Sequence, residues 1–266
     1  MDSVYEGAGD LSWMNPASQH GIHQEYDIEN GWQEFHRRAQ MTFSRNLDQD
    51  FVWEGLKKVK MIDEQHVQLY RDLIDHDDPK LHDHDYRVHM LETIINPHVD
   101  KLIAGYFSSE YVPCWMRIYK NEPTENIWAP ANFWHLDSGP SKHLKILLYL
   151  CDTEEIGGNT AYTDKFTTQR FKNIGYLFGP VNKRLTDLSE LSEQHNIKWE
   201  SHTAHIKPGE GILFEPMGLM HRALWPTIAP RYYIQICFVP AFKHWNELVK
   251  TTPMPTEDNG FPVIQF

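Results

Sequence analysis

YVPCWMRIYK, residues 111–120, is where the texture of this chain changes. From here on, short stretches rich in β-branched and aromatic residues recur, separated by Pro, Gly, Asn and Asp. They are NIWAPANFW (126–134), HLKILLYLC (143–151), NTAYT (159–163), IKWESHTAHI (197–206), GILFEP (211–216), HRALW (221–225) and YYIQICFVPA (232–241). With the first, that makes about eight strands in one late block, the pattern of an antiparallel sandwich or barrel, and it suggests a jelly roll.

The residues before this block read differently. Residues 1–28 are a polar, irregular lead-in, and ENGWQEFHRRAQMTFSRN (29–46) looks helical. Asp63 is placed to cap a second helix, DEQHVQLYRDLIDHD. A third apolar face runs through Val88, Leu91, Ile94, Ile95, Val99, Leu102 and Ile103, and Pro97 inside it predicts a kink or break. We therefore expect one mainly β domain with α elements over residues 1–266. A helical part, 1–110, would pack on one sheet of a jelly-roll core, 111–241, and residues 242–266 would form a C-terminal helix and tail. An insertion at 164–196 interrupts the core. It is longer and more polar than a turn, with DLSELSEQ helical. A long segment with little structure at that place is expected to act as a lid, mobile until substrate binds.

Composition excludes some functions. The 266 residues are 41% hydrophobic and 13% aromatic, enough for a large core. No apolar run approaches the roughly 18 residues of a membrane span. The first residues lack the basic and apolar regions of a secretory signal. Net charge is −12, and the Lys and Arg residues form no basic face, which argues against a nucleic-acid partner. Cys114, Cys151 and Cys237 sit in apolar, strand-like contexts and read as buried free thiols of a cytoplasmic protein.

The chemistry gathers around WHLDSG (134–139). Residues i and i+2 of a strand share a face, so His135 and Asp137 can reach one metal ion together. His221 opens a later strand that the fold would bring beside them. Two histidines and one carboxylate form the facial set that holds non-haem Fe(II) and leaves positions open. Arg231 follows His221 across a short connection containing Pro226 and Pro230, so it can lie beside it on the neighbouring strand. Its planar fork suits a carboxylate, as of 2-oxoglutarate.

Together WHLDSG, KHLKILLYLCD followed by GGNTAY, KPGEGILFEP, and His221 with Arg231 resemble the Fe(II)- and 2-oxoglutarate-dependent oxygenases, and among them the phytanoyl-CoA dioxygenase-like group. The resemblance covers roughly residues 111–240. It implies a double-stranded β-helix, the jelly roll, with Fe(II) as cofactor and 2-oxoglutarate and O2 as cosubstrates. Oxidative decarboxylation of 2-oxoglutarate would be coupled to oxidation of a C–H bond in a small-molecule substrate, most simply hydroxylation. His135, Asp137 and His221 would hold iron, and Arg231 the distal carboxylate. Lys145, Tyr149 and Tyr119 are further candidates for the 2-oxoglutarate site. Asp137 argues against a related halogenase, where a small residue replaces the carboxylate. Two features depart from the group. GGNTAYTDKF leads into the insertion rather than into a Pro-Gly-Ser-His turn, and Tyr233 stands where many relatives have Ser. Its hydroxyl would serve the carboxylate or its ring the substrate pocket.

Further candidates for substrate contact are Gln235, in step with Arg231 along its strand, Arg170 with Lys172 in the insertion, and Trp134 and Ser138 beside the first metal ligands. DHDDPKLHDHDYRVH (75–89) is rich in His and Asp but reads as a solvated loop between helices. The reading from a different class is a non-catalytic, cupin-like metal- or ligand-binding protein. Arg231 favours the oxygenase, since a mere metal binder has no need of it.

Overall fold

The computed structural model describes residues 28–46, 51–124, 129–137, 142–176 and 183–251. The chain starts with α1 (Ile28–Thr42), a strand β1 (Leu56–Lys60), and α2 (Glu64–Asp75). A 3-10 turn (Pro79–His82), α3 (His84–Ile94) and α4 (Pro97–Phe107) follow. Then come β2 (Glu110–Asn121), a 3-10 turn (Pro130–Asn132), β3 (Leu144–Tyr149), β4 (Asn159–Tyr162), α5 (Lys165–Asn173) and α6 (Ser189–Gln194). The last elements are β5 (His202–Thr203), β6 (Glu210–Phe214), β7 (His221–Leu224), β8 (Arg231–Ala241) and α7 (Trp245–Thr251).

Local signals explain several boundaries. Asp63 caps α2, its carboxylate accepting from His66 N at 2.9 Å. Pro97 breaks the long apolar face: α3 ends at Ile94, and the Asn96 side chain caps α4 by accepting from His98 N and Val99 N. Of the run at 75–89, expected as a solvated loop, only residues 76–83 connect the helices, and residues 84–89 belong to α3; Asp78 and Asp83 cap the short turn and α3.

Other expectations fail. The first helix stops at Thr42, not at 46. LKKVK (56–60) is a strand, hidden in the sequence because three of its five residues are lysines. Of NIWAPANFW, residues 126–128 lie outside the described residues, and Pro130 starts a 3-10 turn rather than a strand. Of IKWESHTAHI only His202–Thr203 pair. The insertion holds the helix expected in DLSELSEQ, as α6, and one more that was not expected, α5. Asp164 caps α5, and Phe171 on that helix is fully buried in a cluster with Trp134, Leu136 and Leu188.

Two antiparallel sheets form, ordered β1-β6-β3-β8-β2 and β5-β4-β7. After β3 the chain crosses repeatedly from one to the other, as in a jelly roll. Strand alternation divides the side chains of the larger sheet. Leu144, Ile146 and Leu148 of β3 with Tyr232, Ile234 and Ile236 of β8 join one cluster, which also takes Phe35, Tyr70, Leu91, Ile94, Val99 and Ile103 from the helices. Each such buried side chain contributes roughly 1.5–3 kcal/mol. Polar ties cross the same face: Tyr232 OH donates to Asp75 at 2.7 Å, and Arg45 pairs with Asp100 and Glu110. The opposite face of β3 and β8 carries Lys145, Leu147, Tyr149, Tyr233 and Gln235, and the site is built there.

Two glycines allow close approach near that site. Gly158 lies so near Pro226 that a Cβ would stand 2.8 Å from its backbone nitrogen, which brings the β3–β4 and β7–β8 connections together. Gly209 has φ +80° and accepts from Met61 N and Ile62 N, which seats the end of β1 on the KPGEG turn. Among the described residues no helix is long and apolar enough to cross a membrane, and the three cysteines are free and buried.

Candidate metal centre

Register across the larger sheet builds one wall of a cavity of about 350 Å³. Tyr119 of β2 pairs with Tyr233 of β8, which pairs with Tyr149 of β3. Paired residues share a face, so three tyrosines stand in a row. The Tyr119 and Tyr233 rings stack at 4.8 Å. The same register sets Arg117 beside Gln235, Asn121 beside Arg231, and Lys145 beside Cys237. The smaller sheet closes the other side with Thr160 of β4, His221 and Ala223 of β7.

His135 belongs to no strand, but a backbone pair ties it to β7. His135 N donates to His221 O, and His221 N to His135 O, both at 3.0 Å. Asp137 N donates to Pro216 O at 3.1 Å. Three ligand atoms meet as a result. Asp137 Oδ1 lies 3.4 Å from His135 Nε2 and 3.7 Å from His221 Nε2. This is the one group of three such donors within reach of a single ion among the described residues.

The second nitrogen of each ring fixes its orientation. Nδ1 of His135 stands 2.7 Å from Phe133 O, and Nδ1 of His221 stands 2.9 Å from Leu219 O. A carbonyl oxygen only accepts, so each Nδ1 carries the proton and each Nε2 turns a lone pair to the centre. Burial presses the His221 imidazole down to about 3, so it is neutral. Burial opposes ionisation of Asp137, but the Lys145 ammonium outweighs it and holds the carboxyl well below the usual range. Lys145 Nζ donates directly to Asp137 Oδ2. Two imidazoles and a carboxylate, converging from one side into an open cavity, fit Fe(II).

Arg231 lies in the same cavity wall and is only 2% exposed. Its guanidinium carbon sits 4.4 Å from the Tyr233 ring centroid and 4.9 Å from that of Tyr149. Its Nη2 donates to Tyr149 OH at 2.9 Å and Thr160 Oγ1 at 3.4 Å, and Nη1 to Asn159 O at 3.3 Å. The buried Nε has no partner, and no carboxylate pairs with the group among the described residues. A buried charge held by neutral groups alone is costly, so this geometry asks for an anion. Tyr233 meets the guanidinium with its ring face, unlike the hydroxyl that a serine would offer.

The structure thus gathers His135, Asp137, His221, Arg231, Lys145, Tyr119, Tyr233 and Gln235 on one cavity, with Tyr149 behind Arg231. Three candidates fall elsewhere. Arg170 donates to Asn196 O at 2.5 Å on the outside of α5 and does not line the cavity. Lys172, its companion, donates to Met217 O at 2.8 Å. Trp134 is buried behind the metal ligands, edge-on to Trp199 at 5.7 Å, and Ser138 lies outside the described residues. Sequence reading missed Thr160, Asn121, Arg117 and Trp225. Alternation from Tyr119 would have found Arg117 and Asn121; the other two needed the register.

No protein-family model matches the chain, and no curated protein matches it in sequence. Its fold is similar to that of solved structures. The epimerase SnoN in complex with Fe3+, alpha ketoglutarate and nogalamycin RO superposes with a TM-score of 0.51 at 13% identity, over 85% of this chain and 92% of that one. EctD from S. alaskensis with bound Fe gives 0.50 at 17% identity, over 73% of this chain and 76% of that one. At such identities the likeness is one of fold.

Proposed function

We propose that this chain is an Fe(II)- and 2-oxoglutarate-dependent oxygenase of the cytoplasm. In this reading it oxidises a C–H bond of a small molecule, most simply by hydroxylation, and releases succinate and CO2. One observation carries the reading: a buried, carboxylate-free Arg231 with an orphaned Nε shares a cavity with three convergent metal donors. A ligand that chelates the metal at one end and presents a carboxylate at the other satisfies both halves. The fold supports it, since SnoN carries Fe3+ and alpha ketoglutarate on a similar one. The motif order from Trp134 to Arg231 resembles that of the phytanoyl-CoA dioxygenase-like group.

His135, Asp137 and His221 hold the ion from one side. Iron so held supplies the O2 chemistry that side chains lack, coupled to decarboxylation of 2-oxoglutarate. Arg231 grips the distal carboxylate, and Tyr149 and Thr160 hold the guanidinium in place. Lys145 keeps Asp137 ionised. The Tyr119–Tyr233 stack and Trp225 line the remaining space and exclude water.

The test is succinate formation from 2-oxoglutarate with Fe(II), ascorbate and O2, beside anaerobic titration of Fe(II) and 2-oxoglutarate followed by visible charge-transfer absorption. Metal binding without either signal would support the cupin-like binding protein instead. Analysis of the oxidised product separates hydroxylation from desaturation, epoxidation or cyclisation.

A further inference from the structure

Charge around the cavity is unbalanced. Four cations line it, Arg117, Lys145, Arg222 and Arg231, against a single acidic side chain, Asp137, among the described residues. Lys145 is matched by Asp137. On the reading above, the distal carboxylate of 2-oxoglutarate matches Arg231. Arg222 turns toward the insertion and donates to Thr186 O, although its buried Nε has no partner. Arg117 is the one of the four whose side chain is exposed. Its one polar side-chain contact is a 3.5 Å approach to Tyr119 OH, and no carboxylate pairs with it among the described residues.

Arg117 is nevertheless held in place. Its guanidinium carbon stands 5.1 Å from the Trp115 ring, and the Lys145 Nζ stands 5.1 Å from the same ring. One indole therefore seats both cations, and Lys145 in turn touches the metal ligand Asp137. Across the ladder Arg117 faces Gln235, whose side chain lines the same wall. A solvent-facing guanidinium, a neighbouring amide, and an aromatic row leading inward make a graded site. Its outer end is cationic, and the stacked rings of Tyr119 and Tyr233 line the wall between it and Arg231.

We propose that Arg117, with Gln235 beside it, is the specificity-determining anchor for an oxyanion group, carboxylate or phosphate, on the primary substrate, which therefore enters with its anionic end at the cavity mouth and its apolar body toward the metal. This rests on the oxygenase reading and adds the substrate class to it. It also moves substrate recognition away from Arg170 and Lys172, whose side chains are tied to backbone carbonyls outside the cavity.

The experiment uses the full chain loaded with Mn(II) and saturating 2-oxoglutarate, so that Arg231 is occupied. The probes are aliphatic and aromatic monocarboxylates, each paired with its primary amide, and phosphate monoesters, each paired with its parent alcohol. Binding near the metal is read as paramagnetic broadening of probe protons. The anionic member of the preferred pairs should bind more tightly by roughly 10- to 100-fold, the range for hydrogen bonds to a charged group. Arg117→Gln should erase that preference, Arg117→Lys should keep part of it, and neither should change 2-oxoglutarate affinity. The carboxylate and phosphate arms say which oxyanion the site takes. A wild type that binds acids and their neutral partners alike, or binds none of the acids, overturns the proposal, as does a preference that survives Arg117→Gln. Failure of the wild type to hold Mn(II) or 2-oxoglutarate at all would instead overturn the metal reading beneath it.

Discussion

His135, which belongs to no strand, exchanges two backbone hydrogen bonds, each 3.0 Å, with His221, the first residue of β7. The peptide groups, not the imidazoles, hold the two ligands together. Replacing either ring with Ala should therefore remove metal and spare the fold. Mn(II) affinity should fall by more than the roughly 10–100-fold that losing an outer partner costs. Apoprotein stability should change by about 1 kcal/mol, within the ordinary range for a point substitution. Isothermal titration and denaturant unfolding measure the two. Unchanged metal stoichiometry in both variants would sink the triad.

Arg231 offers an orphaned Nε inside the cavity wall. Arg231→Ala should weaken 2-oxoglutarate binding by about 1.5–3 kcal/mol and leave metal binding nearly unchanged. Arg231→Lys should recover only part, because a point charge reproduces neither the fork nor the stacking on Tyr149 and Tyr233. Equal 2-oxoglutarate affinity in wild type and Arg231→Ala would remove the residue from the site.

Lys145 pairs with the carboxylate that a cation held by His135, Asp137 and His221 would share. The side chains of Lys145 and Asp137 are 13% and 16% exposed. Lys145→Met leaves Asp137 uncompensated and should destabilise the apoprotein by about 3 kcal/mol, the low end for a broken buried pair. Mn(II) then supplies the missing charge, so it should raise the unfolding temperature more in the variant than in wild type. Equal increments would show that the ammonium and the ion act on Asp137 independently.

The insertion is anchored where it can be described. Asp164 accepts from Thr167 N at 2.7 Å, Thr168 Oγ1 accepts from Met220 N at 3.0 Å, and Tyr176 OH joins Trp134 O to Leu185 N at 2.9 Å each. Amide exchange across α5 should be slow before any ligand is added, and Asp164→Ala should cost about 1 kcal/mol through the lost cap. Fast exchange in the ligand-free protein that slows with substrate would restore the lid expected from the sequence.

His36 on α1 is pushed down to about 4, first by burial and then by Lys142. Its unfolded value is near 6.5, so the unfolded chain takes up a proton that the folded one refuses. Stability from this group is complete above pH 6.5 and falls as pH drops toward 4, by up to roughly 3 kcal/mol. In the apoprotein His221 adds to the same window with the same sign. Unfolding curves of apo wild type and His36→Leu between pH 7 and 4.5 should diverge in slope, the variant losing less. Parallel slopes would place His36 in water.

Local rules reached a long way into this chain. Caps and breaks such as Asp63 and Pro97 act within a few residues, so they are legible in one dimension. So are the apolar strands β3 and β8, and the order His135, Asp137, His221, Arg231 supplied the metal centre's residues. Register, pairing and exposure are set by segments remote in sequence, and there the reading ended. LKKVK pairs as an edge strand because β6 offers it a partner, although its lysines look like a solvated loop. NIWAPANFW has strand-like composition, but Pro130 starts a 3-10 turn, and His135 finds its partner through a backbone bridge instead. Arg170 and Arg117 are both arginines beside aromatic residues. Only the packing of α5 turns the first outward, and only the pairing of β2 with β8 sets the second beside Gln235 at the cavity mouth.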